Sequence, residues 1–294
     1  MKRAVEARLA DAGIAAADDE ARWMLEEASG LEGAELIAAG REPATHQEER
    51  RIAEMVERRL GGEPIQYVLG SWSFRGLDLF VDHRVLIPRP ETELVVEIAL
   101  EELARRGERR GASDPWTGSS SRYPVADLGT GSGAIALALV AELPDAEIWA
   151  TDVDADALAV ARANVAGSGA LGARVRLAQG DWFTALPDTL RGTLRLVVSN
   201  PPYVARRAWE SLPAEVRDHE PARALVSGES GLDDVERLVA DGREWLAPGG
   251  VLVVEIGADQ GGRAVAIARD AGYDAEVRHD LVGHDRVLVT HNKS

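Results

Sequence analysis

Three short stretches of this chain combine residue types that can handle a small ligand and a transferable group. The first is Ser199-Asn200-Pro201-Pro202-Tyr203. Its prolines stiffen the turn and remove two N–H donors, which leaves carbonyls free to accept. The side-chain oxygen of Asn200 and the carbonyl of Pro201 can then receive both hydrogens of a planar –NH2 group, with Tyr203 lying over its plane. That suits an amide or an exocyclic amine. The second stretch is Asp127-Leu128-Gly129-Thr130-Gly131-Ser132-Gly133-Ala134. Glycines there let the backbone approach a ligand closely, and a helix beginning at its end presents free N–H groups. Asp152 follows about 20 residues on, where an acid can accept both hydroxyls of a ribose. The same letters satisfy the dinucleotide pattern G-x-G-x-x-A, so a nicotinamide cofactor fits this stretch as well. The third is Asp181-Trp182, an acid for an adenine amino group and a ring to cover the purine face; a solvated Asp beside a packing Trp is the plainer alternative.

These residues need rigid elements to hold them. From residue 125 the hydrophobic pattern alternates between strand and helix, with strands expected at Val125–Leu128, Glu147–Thr151, Arg174–Ala178, Leu194–Ser199, Gly250–Ile256, Ala275–His279 and Arg286–Thr290. That alternation implies a doubly wound α/β sheet. The glycine run, Asp152, Asp181 and Asn200 all follow a strand, at the edge where open α/β sheets bind ligands. Only Asp280–Asp285 separates the last two strands, too little for a crossover helix, so that pair is expected to be antiparallel. The first sixty residues read as helices. Thr45 and Glu48 stand at capping-box spacing before Ile52, Met55, Val56 and Leu60, and Gly61-Gly62 stops them. Asp18 or Asp19 is expected to cap the segment carrying Trp23, Met24, Leu25 and Ala28. Between Tyr67 and Ile87 the texture turns aromatic and β-prone, which reads as a β-hairpin joining two domains. Thr92 reads as the cap of the next helix, and residues 107–124 as a surface loop without chemistry. The expected organisation is a helical domain over 1–66 that recognises a substrate, a hairpin linker over 67–90 and a catalytic domain over 91–294.

Composition narrows the functional classes. With 33 basic and 50 acidic residues the net charge is −17, a poor match to a phosphate backbone, which is bound by clustered Lys and Arg. There is no cysteine, so disulfides, thiolate-ligated zinc and thiol catalysis are excluded. His83, His219, His279, His284 and His291 show no ligand spacing, and no metal is expected. Glu6 interrupts the N-terminus before an apolar stretch develops, and the uncharged run from Asp127 to Glu142 is shorter than the ~20 residues that span a bilayer. A soluble, cytoplasmic monomer is expected.

Together the motifs resemble the class I S-adenosylmethionine-dependent methyltransferases, whose seven-stranded Rossmann-like sheet ends in an antiparallel hairpin. Asn200 to Tyr203 match the [N/D/S]-P-P-[Y/F] of the branch that methylates amides and amines. Gly62 to Gly70, Leu86 to Glu93, Asp127 to Ala134, Asn200 to Val204, Glu220-Pro221 with Ala224-Leu225, and Pro248-Gly249-Gly250 are similar to the HemK or PrmC protein-(glutamine-N5) methyltransferases. Those enzymes act on the Gln of the Gly-Gly-Gln loop in peptide chain release factors. The resemblance spans about residues 62–290 and implies S-adenosylmethionine as cofactor, with contacts at Gly129, Thr130, Gly131, Ser132, Gly133, Asp152, Trp182 and Asn200. It implies glutamine contacts at Asn200, Pro201, Pro202 and Tyr203, with Asn200, Pro201 and Tyr203 catalytic. Asp127 and Asp181 are further candidates from the residues themselves.

In this reading methyl transfer is direct and in line, and positioning and electrostatics supply most of the rate. No dedicated base is needed, because the methylated amide becomes acidic and loses its proton to water. Glu255 ends a strand either against the pocket or at a structural turn before Gly257, and Thr92 and Glu93 fall where the pocket border would run. The rivals are a ribosomal-protein glutamine methyltransferase, which shares N-P-P-Y, an amino-adenine nucleic-acid methyltransferase, and a nicotinamide-dependent oxidoreductase, which leaves Asn200 to Tyr203 without a job.

Overall fold

The computed structural model describes residues 1–39, 43–110 and 122–292. The chain begins with five helices: α1 (Lys2–Asp11), α2 (Ala17–Ser29), α3 (Gly33–Ala39), α4 (His46–Leu60) and α5 (Ile65–Leu69). Thr45 opens α4 with a complete capping box, its hydroxyl accepting from Glu48 N at 3.2 Å while the Glu48 carboxylate accepts from Thr45 N at 2.6 Å. Asp18 and Asp19 are not caps. Ala16 holds that position, and the two acids lie in the first turn of α2, where they complement the helix dipole. Val5, Leu9, Met24, Ile52, Val56 and Val68 close a separate small core between these helices. Arg59 ties this unit inward, bonding Glu20 at 2.7 Å and reaching Glu215 at 3.4 Å.

Strands β1 (Ser71–Phe74) and β2 (Leu77–Phe80) form the expected antiparallel hairpin. It is shorter than the sequence suggests. Tyr67 to Leu69 belong to α5, which starts after Pro64 and stops at Gly70 in the left-handed region. Asn164 docks the hairpin: its amide oxygen accepts from Phe80 N at 2.7 Å, and its nitrogen donates to Phe80 O and Ser132 O. Glu93 binds the hairpin turn, accepting from Arg75 N at 2.8 Å, and so serves the hairpin and not the pocket border. Helix α6 runs over Pro90–Arg110. It starts at the proline, whose missing N–H costs nothing there, so Thr92 lies inside the first turn and is no cap. Of the expected loop over 107–124, residues 107–110 close α6 and residues 111–121 lie outside the described residues.

The remaining elements follow in the expected alternation: β3 (Tyr123–Leu128), α7 (Ala134–Glu142), β4 (Ala146–Asp152), α8 (Ala155–Gly167), β5 (Val175–Gln179), β6 (Leu194–Ser199), α9 (Ala214–His219), α10 (Asp233–Trp245), β7 (Leu246–Glu255), α11 (Gly261–Asp270), β8 (Asp274–His279) and β9 (Asp285–His291). They build one seven-stranded sheet in the order β5-β4-β3-β6-β7-β9-β8. The first five strands are mutually parallel, whereas β9 pairs antiparallel with both β7 and β8. Strand β7 starts four residues before its expected first residue. A register irregularity opposite Leu194 and Leu196 lets it run through Pro248-Gly249. One face of the sheet packs on α6 and α7 through Val96, Leu137, Ile148 and Val253; the other packs on α10 and α11 through Leu128, Leu238, Leu252 and Ala268. Residues 134–140 of α7 are all buried, which explains their unbroken apolar run. Among the described residues no helix is long and apolar enough to cross a membrane.

Candidate active site

The chain enters the sheet at its centre with β3, builds outward to β5, then returns to β6 on the other side. The strand order therefore reverses between β3 and β6, and a pocket opens at their carboxyl ends, as such a reversal leads one to expect. Gly129, Thr130, Gly131 and Ser132 form its floor. The loop is pinned to β4 by Gly129 N and Thr130 N, which both donate to Thr151 O at 2.9 and 2.8 Å. Asp127 is fully buried beneath it and does not reach the pocket wall. One of its oxygens accepts from Thr130 Oγ1 at 2.6 Å and from Ala136 N at 3.0 Å, so this carboxyl fastens the loop to the third residue of α7. Burial pushes it up to about 7, against those two hydrogen bonds. Gly133 is the N-cap of α7 and lies behind the wall.

Asp152 ends β4 on the pocket wall. Its two oxygens accept from Gly131 N and Asp154 N, each at 2.9 Å, and each oxygen keeps a lone pair. Burial raises this carboxyl despite both bonds. Trp182 sits in the left-handed region at φ +48°, a conformation that costs a bulky residue energy and that the packing around it must enforce. Its indole occupies the space a side chain at 129 would take: a Cβ built on Gly129, itself at φ +73°, would stand 3.0 Å from Trp182 Cζ3. Asp181 lines the pocket beside it, paired with the Arg237 guanidinium of α10.

Asn200 and Pro202 reach the pocket from the turn after β6, whereas Pro201 and Tyr203 stand behind it. The Asn200 amide nitrogen donates to Thr92 Oγ1 at 3.0 Å, and its buried oxygen Oδ1 has no partner among the described residues. Thr92 Oγ1 in turn donates to Glu255 Oε2 at 2.7 Å. The Tyr203 hydroxyl donates to the other oxygen of Glu255 at 3.3 Å, and Gln260 holds the Tyr203 carbonyl at 2.9 Å. Glu255 is fully buried at the end of β7, and desolvation lifts it to about 7 against Thr92, Arg286 and Tyr203, which favour its anion. The choice left open thus resolves differently for the two: Thr92 lines the pocket beside Asn200, whereas Glu255 stands behind both, and the three form one connected set. An acid closing the apolar run Val251-Leu252-Val253-Val254 was the visible signal. The far wall, with Leu86 and Pro88, is clasped by Glu220, which accepts from Ile87 N at 3.2 Å and pairs with Arg89. Neither member of that clasp carries a local chemical signal, although Arg89 and Glu220 both fall within the resembling motifs.

A glycine floor after β3, an acid closing β4 on one side of it and a carboxamide following β6 on the other are the parts of a methyltransferase. Residues 118–217 match the methyltransferase small domain. The crystal structure of a methyltransferase from Pyrococcus furiosus shares the fold, with a TM-score of 0.52 at 16% identity, covering 85% of this chain and 100% of that one. Residues 2–70 match the PrmC N-terminal domain. The release factor glutamine methyltransferase of Deinococcus radiodurans is 39% identical over 282 residues, 96% of this chain and 94% of that protein. That of Moorella thermoacetica is 40% identical over 289 residues, 97% and 95% respectively. This chain belongs to the release factor glutamine methyltransferase family, and the nicotinamide reading of its glycine run is set aside.

Proposed function

We propose that this protein transfers the methyl group of S-adenosylmethionine to the side-chain amide nitrogen, N5, of the glutamine in the Gly-Gly-Gln loop of peptide chain release factors. The observation that carries the glutamine end is the Asn200 carboxamide. Its nitrogen donates one N–H to Thr92, and its other end is a buried, unpartnered acceptor, Oδ1, on a residue of the pocket wall. A buried acceptor without a partner is costly, and an –NH2 group supplies what it lacks. Pro201 itself is set behind the wall. Its carbonyl accepts nothing from the described residues and belongs to the turn between Asn200 and Pro202, which do line the pocket; we assign it as the second acceptor.

The pocket fits the cofactor. Asp152 keeps two lone pairs for a ribose diol, Gly129 leaves room for the indole of Trp182 to cover a purine, and the loop from Gly129 to Ser132 admits a close backbone approach. S-adenosylmethionine, when bound, supplies a methyl already activated by its sulfonium. The chain's own groups have to aim the nucleophile. Asn200 Oδ1 and Pro201 O orient the glutamine –NH2 and stabilise the positive charge that grows as nitrogen loses amide conjugation. The methyl group so supplied would pass to the glutamine nitrogen in exchange for its bond to sulfur, and the N–H proton would leave to water. Helices α1 to α5 serve to grip the body of the release factor.

Incubation with a release factor and radiolabelled cofactor tests this. Label should enter the factor, fail to enter one whose loop Gln is replaced by Ala, and fall by about 100-fold in initial rate with Asn200→Ala. Cross-links from the bound factor should fall on α1 to α5. Equal labelling of both factors refutes the glutamine assignment.

A further inference from the structure

An asparagine side chain has two ends of nearly equal size and shape, one a donor and the other an acceptor. Half a turn about its last torsion exchanges them. In a pocket built to receive an –NH2 group, that half turn replaces an acceptor by a second donor and destroys the site with no change in shape. Something outside Asn200 has to decide which end faces inward.

We propose that Thr92 and Glu255 are positioning residues for methyl transfer, a directional hydrogen-bond relay that keeps the Asn200 nitrogen turned away from the substrate and its oxygen turned toward it. This rests on the role given above to Asn200 Oδ1. The Thr92 hydroxyl has one proton, and it is committed to Glu255 Oε2 at 2.7 Å. An ionised carboxylate only accepts, so Thr92 can only accept from its other neighbour. That neighbour is Asn200, and of its two ends only Nδ2 can donate, as it does at 3.0 Å. A flipped amide would set Oδ1 against a lone pair of Thr92 and leave Nδ2 facing the incoming –NH2. Tyr203 donates to the second oxygen of Glu255 at 3.3 Å, which holds the carboxylate in register. The relay joins three distant pieces of chain: the first turn of α6, the turn after β6 and the end of β7.

The relay depends on the charge of Glu255, and the surrounding groups set that charge. Thr92 on α6, Arg286 on β9 and Tyr203 after β6 favour the anion; burial and the nearby Glu91 of α6 oppose it and bring the carboxyl to about 7. Once protonated, Glu255 can donate to Thr92, whose own proton then turns to Asn200 and favours the flipped amide. Turnover therefore falls on the acid side of neutrality.

The test measures kcat, KM for a release factor and the Kd of S-adenosylhomocysteine, with a melting curve for each variant. Thr92→Val should lower kcat by at least ~10-fold while KM and Kd stay within about 2-fold, because only an orientation is lost. Thr92→Ser, which restores the hydroxyl, should recover kcat to within about 3-fold of wild type. Wild-type kcat should show an acid limb between about pH 6 and 8 that Glu255→Gln abolishes. Thr92→Val turning over within about 2-fold of wild type, while Asn200→Ala is crippled, overturns the relay and leaves the proposed function standing. A wild-type kcat that is flat over the same pH range also overturns it, whether or not any variant folds. Asn200→Ala as active as wild type removes the reading beneath and the relay with it.

Discussion

Replacing Asn200 by Asp changes one NH2 into an oxygen and almost nothing in shape, yet the geometry behind it predicts a large and oddly signed effect. In the wild type, Thr92 Oγ1 gives its proton to Glu255 at 2.7 Å and takes one from Asn200 at 3.0 Å. In Asn200→Asp both neighbours are acceptors, and a single hydroxyl proton cannot serve both. One carboxylate must lose a charge-assisted bond, about 1.5–3 kcal/mol. At 1.36 kcal/mol per tenfold, that corresponds to a fall in kcat of roughly 10- to 150-fold at about pH 8, although an acceptor still faces the pocket. One added proton cures the defect, because a protonated member of the pair becomes the missing donor; the two carboxyls titrate as a unit. Single-turnover transfer of labelled methyl to a release factor, measured from about pH 6 to 9, isolates the step. The wild-type rate should fall as pH is lowered, whereas the Asn200→Asp rate should rise. Parallel profiles for the two proteins, at any absolute rate, would refute the reasoning.

Two other perturbations probe the floor of the pocket. Gly129→Ala puts a Cβ 3.0 Å from the Trp182 indole at a φ of +73°. Backbone strain and overpacking should cost about 2–4 kcal/mol of stability and weaken S-adenosylhomocysteine by at least ~10-fold in calorimetry; unaltered affinity would mean that the indole does not border the ligand. Asp127 is held up at about 7 by burial, well above its usual value near 3.8. A raised carboxyl contributes stability below its unfolded pKa and loses it as pH climbs through about 7. Asp127→Asn should therefore gain on the wild type by up to about 4 kcal/mol in going from pH 4 to 8, read from denaturant melts; an equal difference at both ends contradicts the burial.

The elements that carry the site were legible because local periodicity and strand-end motifs specify them. All seven strands of the large sheet, the terminal antiparallel pair and the placement of Asn200 directly after β6 follow from that pattern. Other features were encoded locally but in signals easily read another way. Pro90 opens α6 as a first-turn proline, Pro64 and Gly70 bracket α5, and Pro248-Gly249 resembles a strand breaker until the irregularity opposite Leu194 is known. The pairing of Asp181 with Arg237, and of Thr92 with both Glu255 and Asn200, had no local signal. Such contacts exist only once residues scores of positions apart share one rim. Asp127 illustrates the same limit: its spacing suits a ligand contact, while its side chain is turned inward to fasten the glycine loop.

Glu255 closes β7 and Asn200 follows β6, two adjacent strands near the middle of the sheet. The groups proposed to aim the substrate are therefore anchored in the part of the molecule that opens last, since core strands exchange their amides only through near-global unfolding. Heating should leave the aim of the carboxamide intact until the whole sheet gives way, so loss of turnover and loss of strand protection should arrive together. Softening of the outlying helices, in contrast, would show first as poorer capture of the large protein substrate if they grip it as proposed.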